Sequence, residues 1–258
     1  MHEDESEREH SHNQSPSIEK AEAKKIEKLR AYEKQLMIDP NNQKKWRLKG
    51  TSLRSLLRYD EALDTFDKAL ELNPKGPEAW RIWKDKGLTF RSLQKYNEAL
   101  DAFDKALELN LKGPEAWSIW GYKGLTFRSL QKYNEAVESF DKALQLNPNN
   151  HELWVRKGAA LDDLGRNDEA FEAYDRAYEI NPKRFWGNAR YWQRKGNALC
   201  RLEKYEEAIE AYDRALKMCR CTSDLTDILR SKASAFRHLG RIGDAEKCDC
   251  QADNVLGC

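Results

Sequence analysis

Small residues recur along the chain at intervals of 34 to 38 residues, and large apolar residues stand at fixed offsets around them. The first series of small residues consists of Gly50, Gly87, Gly124, Gly158, Gly196 and Ala233, and alanines follow each member by 12 and by 19 residues. A tryptophan precedes each of the five glycines by four residues, and a phenylalanine or tyrosine follows each by 16. Spacings of three, four and seven residues mark one face of a helix. The pattern therefore predicts pairs of antiparallel helices that approach closely where the small residues meet.

Prolines and charged pairs mark the ends and outer faces of the predicted helices. Pro74, Pro148 and Pro182 close second helices, because proline cannot continue a helix, whereas Pro77 and Pro114 suit a first helical position. On each second helix an acidic residue precedes a lysine or arginine by four. Examples are Asp64–Lys68 and Asp101–Lys105. This spacing predicts ion pairs on a solvated outer face.

We call the contact line between the two helices of a pair the seam, and the first small residue of each repeat its seam position. Three repeats are longer than the others in the stretch before their seam glycine. The second and third carry three extra residues there and the fifth carries four, which is close to one helical turn. We therefore expect their first helices to be lengthened at the N-terminus. Trp80 and Trp83 would then be neighbours on one face, and core packing is the simpler interpretation of these rings than a shelf for an aromatic ligand.

The combined pattern, W-x3-G-x2-(L/F)…A-x3-(F/Y)-x2-A…P, resembles the tetratricopeptide repeat. The resemblance implies an all-α, right-handed superhelix (an α-solenoid) of about six helix-turn-helix units, in which first helices line a concave groove. We place the repeat domain at residues 41–258, with units near 43–76, 77–113, 114–150, 151–184, 185–222 and 223–256. Pro40 stands one repeat before Pro74, which predicts a leading N-terminal helix at 17–40.

Composition and charge fit this prediction and narrow the function classes. The 258 residues are 34% charged, as suits a solenoid with a narrow core, and the net charge of +1 gives no global field toward nucleic acid or membrane. The chain has no apolar run near the ~20 residues that span a bilayer, and its N-terminus has no apolar signal core. We therefore expect a cytoplasmic protein with reduced cysteines.

Two adjacent repeats are almost copies of each other. Residues 76–112 and 113–149 match at 28 of 37 positions, and within the first helix only three positions differ. These are Arg81 against Ser118, Lys84 against Gly121, and Asp85 against Tyr122. By resemblance, the early turns of a first helix face the groove. The difference suggests a groove lining that varies between equal units, and neutral drift on solvated positions is the alternative.

By the same resemblance, the groove-facing positions of the first three repeats contain seven basic residues and no acidic one. Three arginines occupy one equivalent site, and we call Arg54, Arg91 and Arg128 the arginine ladder. Guanidinium groups form forked hydrogen bonds with carboxylates. The sequence therefore predicts a non-catalytic protein-interaction scaffold that binds an extended acidic peptide or a chain terminus. The predicted ligand-binding residues are Lys44, Arg47, Arg54, Arg81, Lys84, Arg91, Tyr122 and Arg128.

Other interpretations of this face remain open. Binding of RNA or another polyanion along the basic half of the groove is the main alternative, although nucleic acid is disfavoured by the near-neutral charge and the acidic fourth repeat. A plain solvated charged face is the simplest one. The carboxylate clamp of chaperone-binding family members fits poorly, because Thr51 and Leu88 occupy the slot of its asparagine. Self-association through the end units is a further expectation.

Several smaller features complete the sequence-based prediction. Residues 1–16 are polar and acidic, and we expect a disordered tail that competes for the basic groove. No catalytic set, cofactor motif or metal motif is evident, so no enzyme activity is predicted. The five cysteines near the C-terminus leave a metal or redox role open, with spare or buried thiols favoured. They are Cys219, Cys221, Cys248, Cys250 and Cys258.

Overall fold

The computed structural model describes residues 16–110, 113, 115–182, 189–219 and 222–256, and all thirteen regular elements within them are α-helices. The all-α prediction is confirmed. The chain divides into two compact units, residues 1–111 and 112–258. Unit 1 contains α1 (Pro16–Ile38), α2 (Gln43–Ser55), α3 (Tyr59–Leu72), α4 (Ala79–Ser92) and α5 (Tyr96–Asn110).

Unit 2 contains eight helices in its described residues. They are α6 (Ala116–Ser129), α7 (Tyr133–Leu146), α8 (His151–Asp163), α9 (Asn167–Ile180), α10 (Ala189–Arg201), α11 (Tyr205–Met218), α12 (Thr222–His238) and α13 (Ile242–Leu256). Within each unit, consecutive helices form hairpins, and α1 packs on α2 ahead of the first hairpin. First helices also contact each other, α2 with α4, α6 with α8, and α10 with α12. Each unit therefore has a layer of first helices and a layer of second helices.

The predicted seam is confirmed in five hairpins. A Cβ atom added to Gly50, Gly87 or Gly196 would lie 2.5 Å from the nearest ring atom of the aromatic residue 16 positions later. The same distance is 2.7 Å at Gly124 and 2.8 Å at Gly158. Such separations are far below van der Waals contact, so only glycine lets the second-helix ring lie flat against the first helix.

The sixth hairpin keeps the seam by changing both members of the pair. Ala233 replaces the glycine, and Asp249 stands where the other hairpins have an aromatic ring. Ala233 is fully buried, whereas Asp249 turns to Arg237 and forms an ion pair with it. The extra methyl group is therefore accommodated because no ring occupies the space that it fills.

A residue in the left-handed conformation joins the two helices of every hairpin. It stands seven residues after the seam position and has a φ between 59° and 74°. Only two of the six are glycines; the six are Leu57, Gln94, Gln131, Gly165, Glu203 and Gly240. The turn geometry is thus a property of the repeat, and four hairpins maintain it against the steric preference of an L-residue.

The expected lengthening of the first helices is wrong for α4 and α6. Each begins eight residues before its seam glycine, against seven in α2 and α8, so only one residue joins the helix. In unit 1 the additional residues widen the connection between α3 and α4 instead. There the amide of Ala79 donates to the carbonyl of Gly76 and closes a turn. Pro77 lies in that turn and not at the first helical position.

Cations of the second helices lie over first-helix tryptophans. Lys68 Nζ is 5.8 Å from the ring centroid of Trp46, and Lys105 Nζ is 4.4 Å from that of Trp83. Lys142 and Arg214 take the same position in unit 2, over Trp120 and Trp192. The predicted role of Lys68 and Lys105 as partners of Asp64 and Asp101 is therefore wrong, because both lysines, although exposed, lie over an aromatic ring.

Parts of the sequence-based prediction fall outside what the structure describes. The predicted tail lies there apart from Pro16, at which α1 begins, and so do Pro114, Cys221 and Cys258. Among the described helices, none combines the length and the apolar character needed to cross a membrane.

Candidate functional site

The predicted ligand-binding residues lie on three first helices. Six are in unit 1, where α2 carries Lys44, Arg47 and Arg54 and α4 carries Arg81, Lys84 and Arg91. Tyr122 and Arg128 lie on α6, in unit 2. The three residues of α2 and the three of α4 stand at equivalent positions, six and three before and four after the seam glycine, and α2 packs against α4, so we call these six residues the first-helix face of unit 1.

Arg47 is the centre of an ion-pair cluster on this face. Its Nε donates to Glu78 Oε2 at 2.9 Å, and its Nη1 donates to Asp85 Oδ2 at 3.1 Å. Only 17% of the Arg47 side chain is exposed. The guanidinium is therefore held in one orientation by two carboxylates from the next repeat.

Asp85 is the buried member of the cluster. The residue is 5% exposed, and its Oδ1 lies 3.9 Å from Arg54 Nη2. Burial raises the pKa of the Asp85 carboxyl above its ordinary value, and the charges of Arg54 and Arg47 oppose that shift. A single carboxylate thus fixes one arginine directly and keeps a second beside it.

The prediction of a basic surface without acids is therefore wrong in unit 1. Glu78 and Asp85 both come from α4 and the turn before it, and both reach the arginines of α2. Their role was missed because the groove-facing positions were assigned one helix at a time. Such an assignment does not show which side chains of the next helix lie between the arginines. The available signal was Asp85 itself, a lone acid on a helix with four basic residues.

The remaining cations of this face are ordered by an aromatic ring and by Glu78. The Arg81 guanidinium lies 4.3 Å from the Trp80 ring centroid, and Lys84 Nζ lies 5.3 Å from it. Arg81 Nη1 also donates to Glu78 Oε1 at 3.4 Å. Lys44 is exposed and Arg91 is half-buried. The face thus combines six cations with the carboxylates of Glu78 and Asp85, which lie beside its arginines.

In unit 2, the third member of the arginine ladder already has a carboxylate partner. Arg128 Nε lies 2.5 Å from Asp163 Oδ2 on α8, and this hydrogen bond raises the pKa of the guanidinium. Tyr122 is half-buried on α6. Arg128 therefore resembles Arg47 in being neutralised by the next first helix.

A second polar network in unit 2 was not predicted. The Tyr174 hydroxyl donates to Asp162 Oδ2 at 2.9 Å, and Arg194 Nη1 donates to the same hydroxyl at 2.5 Å. Arg194 Nε also lies 3.5 Å from Asp162 Oδ2. Burial raises the pKa of the Asp162 carboxyl and takes the pKa of Tyr174 far above its ordinary range. The signal in the sequence was a tyrosine where the first three repeats have phenylalanine.

The cysteines that the structure describes do not form a metal centre. Cys219 is half-buried, Cys248 is buried and Cys250 is exposed. Burial raises the pKa of the Cys248 thiol, which keeps it protonated. In the described part of the chain, no group of three histidine, cysteine, aspartate or glutamate side chains is placed to hold a metal ion.

Sequence profiles identify the repeat. A profile described as tetratricopeptide repeat matches residues 47–110, 84–151 and 123–185, and a second profile of the same description matches residues 189–220. Among curated proteins, no sequence matches the chain. The profile matches cover more than half of the chain.

Solved structures of the same fold resemble this chain over most of its length. YrrB, described as a TPR protein with an unusual peptide-binding site, is 25% identical with a TM-score of 0.59, over 73% of this chain and 92% of that one. MamA from Desulfovibrio magneticus RS-1 is 20% identical with a TM-score of 0.58, over 68% and 94%. A chain of the APC/C hetero-tetramer Cut9-Hcn1 is 17% identical with a TM-score of 0.58, over 90% and 43%. These likenesses confirm the predicted fold class.

Proposed function

The chain belongs to the tetratricopeptide repeat family, and we propose that it is a non-catalytic protein-interaction module whose first-helix face in unit 1 binds an extended acidic peptide or a chain terminus. One observation carries the proposal. Six cations lie on this face, and the central arginine is already oriented by two carboxylates, Glu78 and Asp85. The peptide-binding site of the similar protein YrrB supports a peptide as the class of ligand.

Pre-ordering is the physical advantage of the cluster. A mobile arginine loses side-chain entropy when it binds a carboxylate, by about 0.5–1.5 kcal/mol for a rotamer-rich side chain. Asp85 and Glu78 fix the Arg47 side chain when the protein folds, so this entropy is already lost before the ligand binds and Arg47 is held in one orientation. Arg54 lies 3.9 Å from Asp85, beyond hydrogen-bond distance, so its donors are the better candidates for direct contact with a ligand carboxylate.

Fluorescence polarisation with a labelled glutamate-rich peptide tests the proposal. The triple variant Lys44→Met, Arg54→Met, Arg91→Met removes three cations and keeps the Arg47–Asp85–Glu78 cluster. We expect its Kd to rise at least about tenfold, which corresponds to about 1.4 kcal/mol. The control is Arg166→Met, Arg176→Met, Lys217→Met, with the same change of charge on helices of unit 2 and the turn before one of them. Equal affinities of the wild type and the first variant would refute the proposed site.

Salt dependence separates this proposal from polyanion binding. Each phosphate contact that releases a counterion adds about 0.7 to the logarithmic salt slope for a single strand, so a bound RNA gives a steep loss of affinity. We expect a homopolymeric RNA to bind the wild type more weakly than the acidic peptide does. An RNA that binds more tightly, with a slope of several contacts, would favour the polyanion alternative.

A further inference from the structure

The two helix layers of unit 1 carry opposite charge. Six carboxylates, all exposed, lie on the second helices α3 and α5. We call this set the acidic face of unit 1: Asp60, Asp64, Glu71, Glu98, Asp101 and Glu108. The first helices of the same unit, α2 and α4, carry nine basic residues and one acidic residue. The net charge of +1 for the whole chain therefore conceals a strong separation of charge between the layers.

The carboxylates of the acidic face lack ion-pair partners in the described part of unit 1. Lys68 and Lys105 follow Asp64 and Asp101 by one helical turn, yet both lie over tryptophan rings of the first helices. In the part of unit 1 that the structure describes, none of the six carboxylates forms an ion pair. Glu61 and Asp67, which do form ion pairs, are not members of the set.

We propose that the acidic face of one copy of this chain binds the first-helix face of unit 1 in a second copy. Charge complementarity within the same sequence is the argument, since the six carboxylates of the acidic face would meet helices on which basic residues outnumber acidic ones nine to one. The inference rests on the proposed function in one respect, because both use the first-helix face of unit 1. It adds a partner, a second copy of the chain, and a second surface that the proposed function does not involve.

The geometry of such a contact determines the kind of assembly. The two faces differ, so each copy in a pair keeps one unused face, and the pair as a whole keeps one of each sign. A contact between unlike surfaces gives rings when the rotation closes and open chains when it does not. Assembly should therefore grow with protein concentration. It should weaken with salt, because exposed charges are screened within about 10 Å at about 0.1 M and about 3 Å at about 1 M.

Two complementary variants test the pairing by sedimentation velocity. The first, Asp64→Lys, Glu71→Lys, Asp101→Lys, leaves three acidic and three basic residues in the set, so the acidic face loses its net negative charge. The second, Lys44→Glu, Arg81→Glu, Arg91→Glu, makes both faces acidic. We expect wild-type oligomers at about 0.1 M salt that dissociate at about 1 M, and each variant alone to be monomeric. An equimolar mixture of the two variants should associate again. A monomeric wild type at all concentrations, or a mixture that stays monomeric, would overturn the inference.

The labelled acidic peptide separates this inference from the proposed function. The first variant keeps its first-helix face, so it should bind the peptide at least as tightly as the wild type, and the peptide should dissociate wild-type oligomers. If the first variant binds the peptide while the wild type never associates, the self-association inference alone fails. If neither protein binds the peptide but the variants still pair, the proposed ligand is wrong and the inferred contact stands.

Discussion

The hairpins α2–α3 in unit 1 and α8–α9 in unit 2 are built alike. An asparagine caps each first helix, where the Asn42 side chain accepts from the amide of Lys45 and the Asn150 side chain from that of Leu153. The first-helix tryptophans donate to the carbonyls of Pro40 and Pro148, at 2.7 Å and 2.8 Å. A glycine seam with an aromatic ring follows in each. The two hairpins thus share the same helix caps and the same packing between their helices.

The same two hairpins differ in the sign of one ion pair. Arg54 and Asp162 stand four residues after their seam glycines, and each faces the residue two before the next seam glycine, Asp85 and Arg194 respectively. The atoms are 3.9 Å apart in unit 1 and 3.5 Å apart in unit 2. The fold therefore brings these two positions together whichever carries the positive charge. An ion pair at these positions is therefore weak evidence for a ligand site. The net charge of the surrounding surface is the more informative property.

The largest expected effect comes from removing the cations around the buried acid in unit 1. In the double variant Arg47→Met, Arg54→Met, Asp85 remains buried without either arginine. Breaking a buried ion pair in this way costs about 3–5 kcal/mol. We expect a loss of that size in the free energy of unfolding at neutral pH, measured by urea denaturation. Arg81→Met is the control, because Arg81 lies over Trp80 and pairs with Glu78 rather than with Asp85.

Acid should reduce this loss. Without Arg47 and Arg54, burial should raise the pKa of the Asp85 carboxyl further, since two of the charges that oppose the shift are gone and Lys84 remains. A carboxyl with a raised folded-state pKa contributes stability below its unfolded pKa and loses it as the pH rises through the folded value. The difference between the double variant and the wild type should therefore shrink as the pH falls toward about 4, near the ordinary pKa of an aspartate. A difference that stays constant over this range would contradict the role of Asp85.

The seam is where the two hairpins should respond alike. Gly50→Ala and Gly158→Ala each place a Cβ atom 2.5 Å or 2.8 Å from an aromatic ring atom. Overpacking of this kind costs about 1–3 kcal/mol. We expect both variants to unfold at lower urea concentration than the wild type by a similar amount.

Ala233→Gly gives the matched comparison for the seam. The sixth hairpin has no ring opposite its seam position, so this change relieves no contact. It adds the cost of glycine in a helix, about 0.5–1 kcal/mol, and the loss of one buried methyl group, about 0.8 kcal/mol. A urea midpoint that Gly50→Ala leaves unchanged would contradict the steric basis of the seam.

The seam and the pairing of helices could be predicted from the sequence because they depend on residues that recur. Gly50 and Phe66 are 16 residues apart, and four later repeats keep the same spacing between a glycine and a ring. A contact that is repeated five times is visible in one chain. Its geometry, a ring flat against a backbone, follows from helix periodicity and size alone.

The ion-pair partners could not be predicted because the repeat pattern does not show which helix a side chain reaches. Glu78 recurs as Glu115, whereas Asp85 is replaced by Tyr122 in the next repeat, and both Glu78 and Asp85 reach back to α2. The extra residues before α4 were assigned to the helix, although Gly76 and Pro77 favour a turn. Where a side chain points depends on its neighbours in three dimensions, as Lys105 over Trp83 shows.

Tyr174→Phe separates the hydroxyl of the unit 2 network from the ring in the seam. The variant keeps the packing against Gly158 and loses the hydrogen bonds to Asp162 and Arg194. Such a loss costs about 0.5–1.5 kcal/mol, or more where the Asp162 carboxylate is left short of a donor. We expect the urea midpoint to fall by an amount that corresponds to about 1 kcal/mol. An unchanged midpoint would mean that the hydroxyl adds nothing to the stability of the network.

The smallest effect concerns the turn, where the hairpins differ by one residue. Leu57 has a φ of 62° and Gly165 a φ of 74°, and Leu57 is 71% exposed, so its side chain adds little packing. An L-residue in this region is strained by about 1–2 kcal/mol, whereas glycine also loses more conformational freedom on folding. The balance of the two effects should make Leu57→Gly more stable than the wild type by a few tenths to about 1 kcal/mol in the free energy of unfolding. This gain is measured as a higher urea midpoint. Gly165→Leu should reverse the sign and cost about 1 kcal/mol, because no atom lies within 4 Å of an added Cβ and only the backbone opposes it. If both substitutions destabilise, the turn depends on the Leu57 side chain rather than on φ, and the two hairpins are less alike than their backbones indicate.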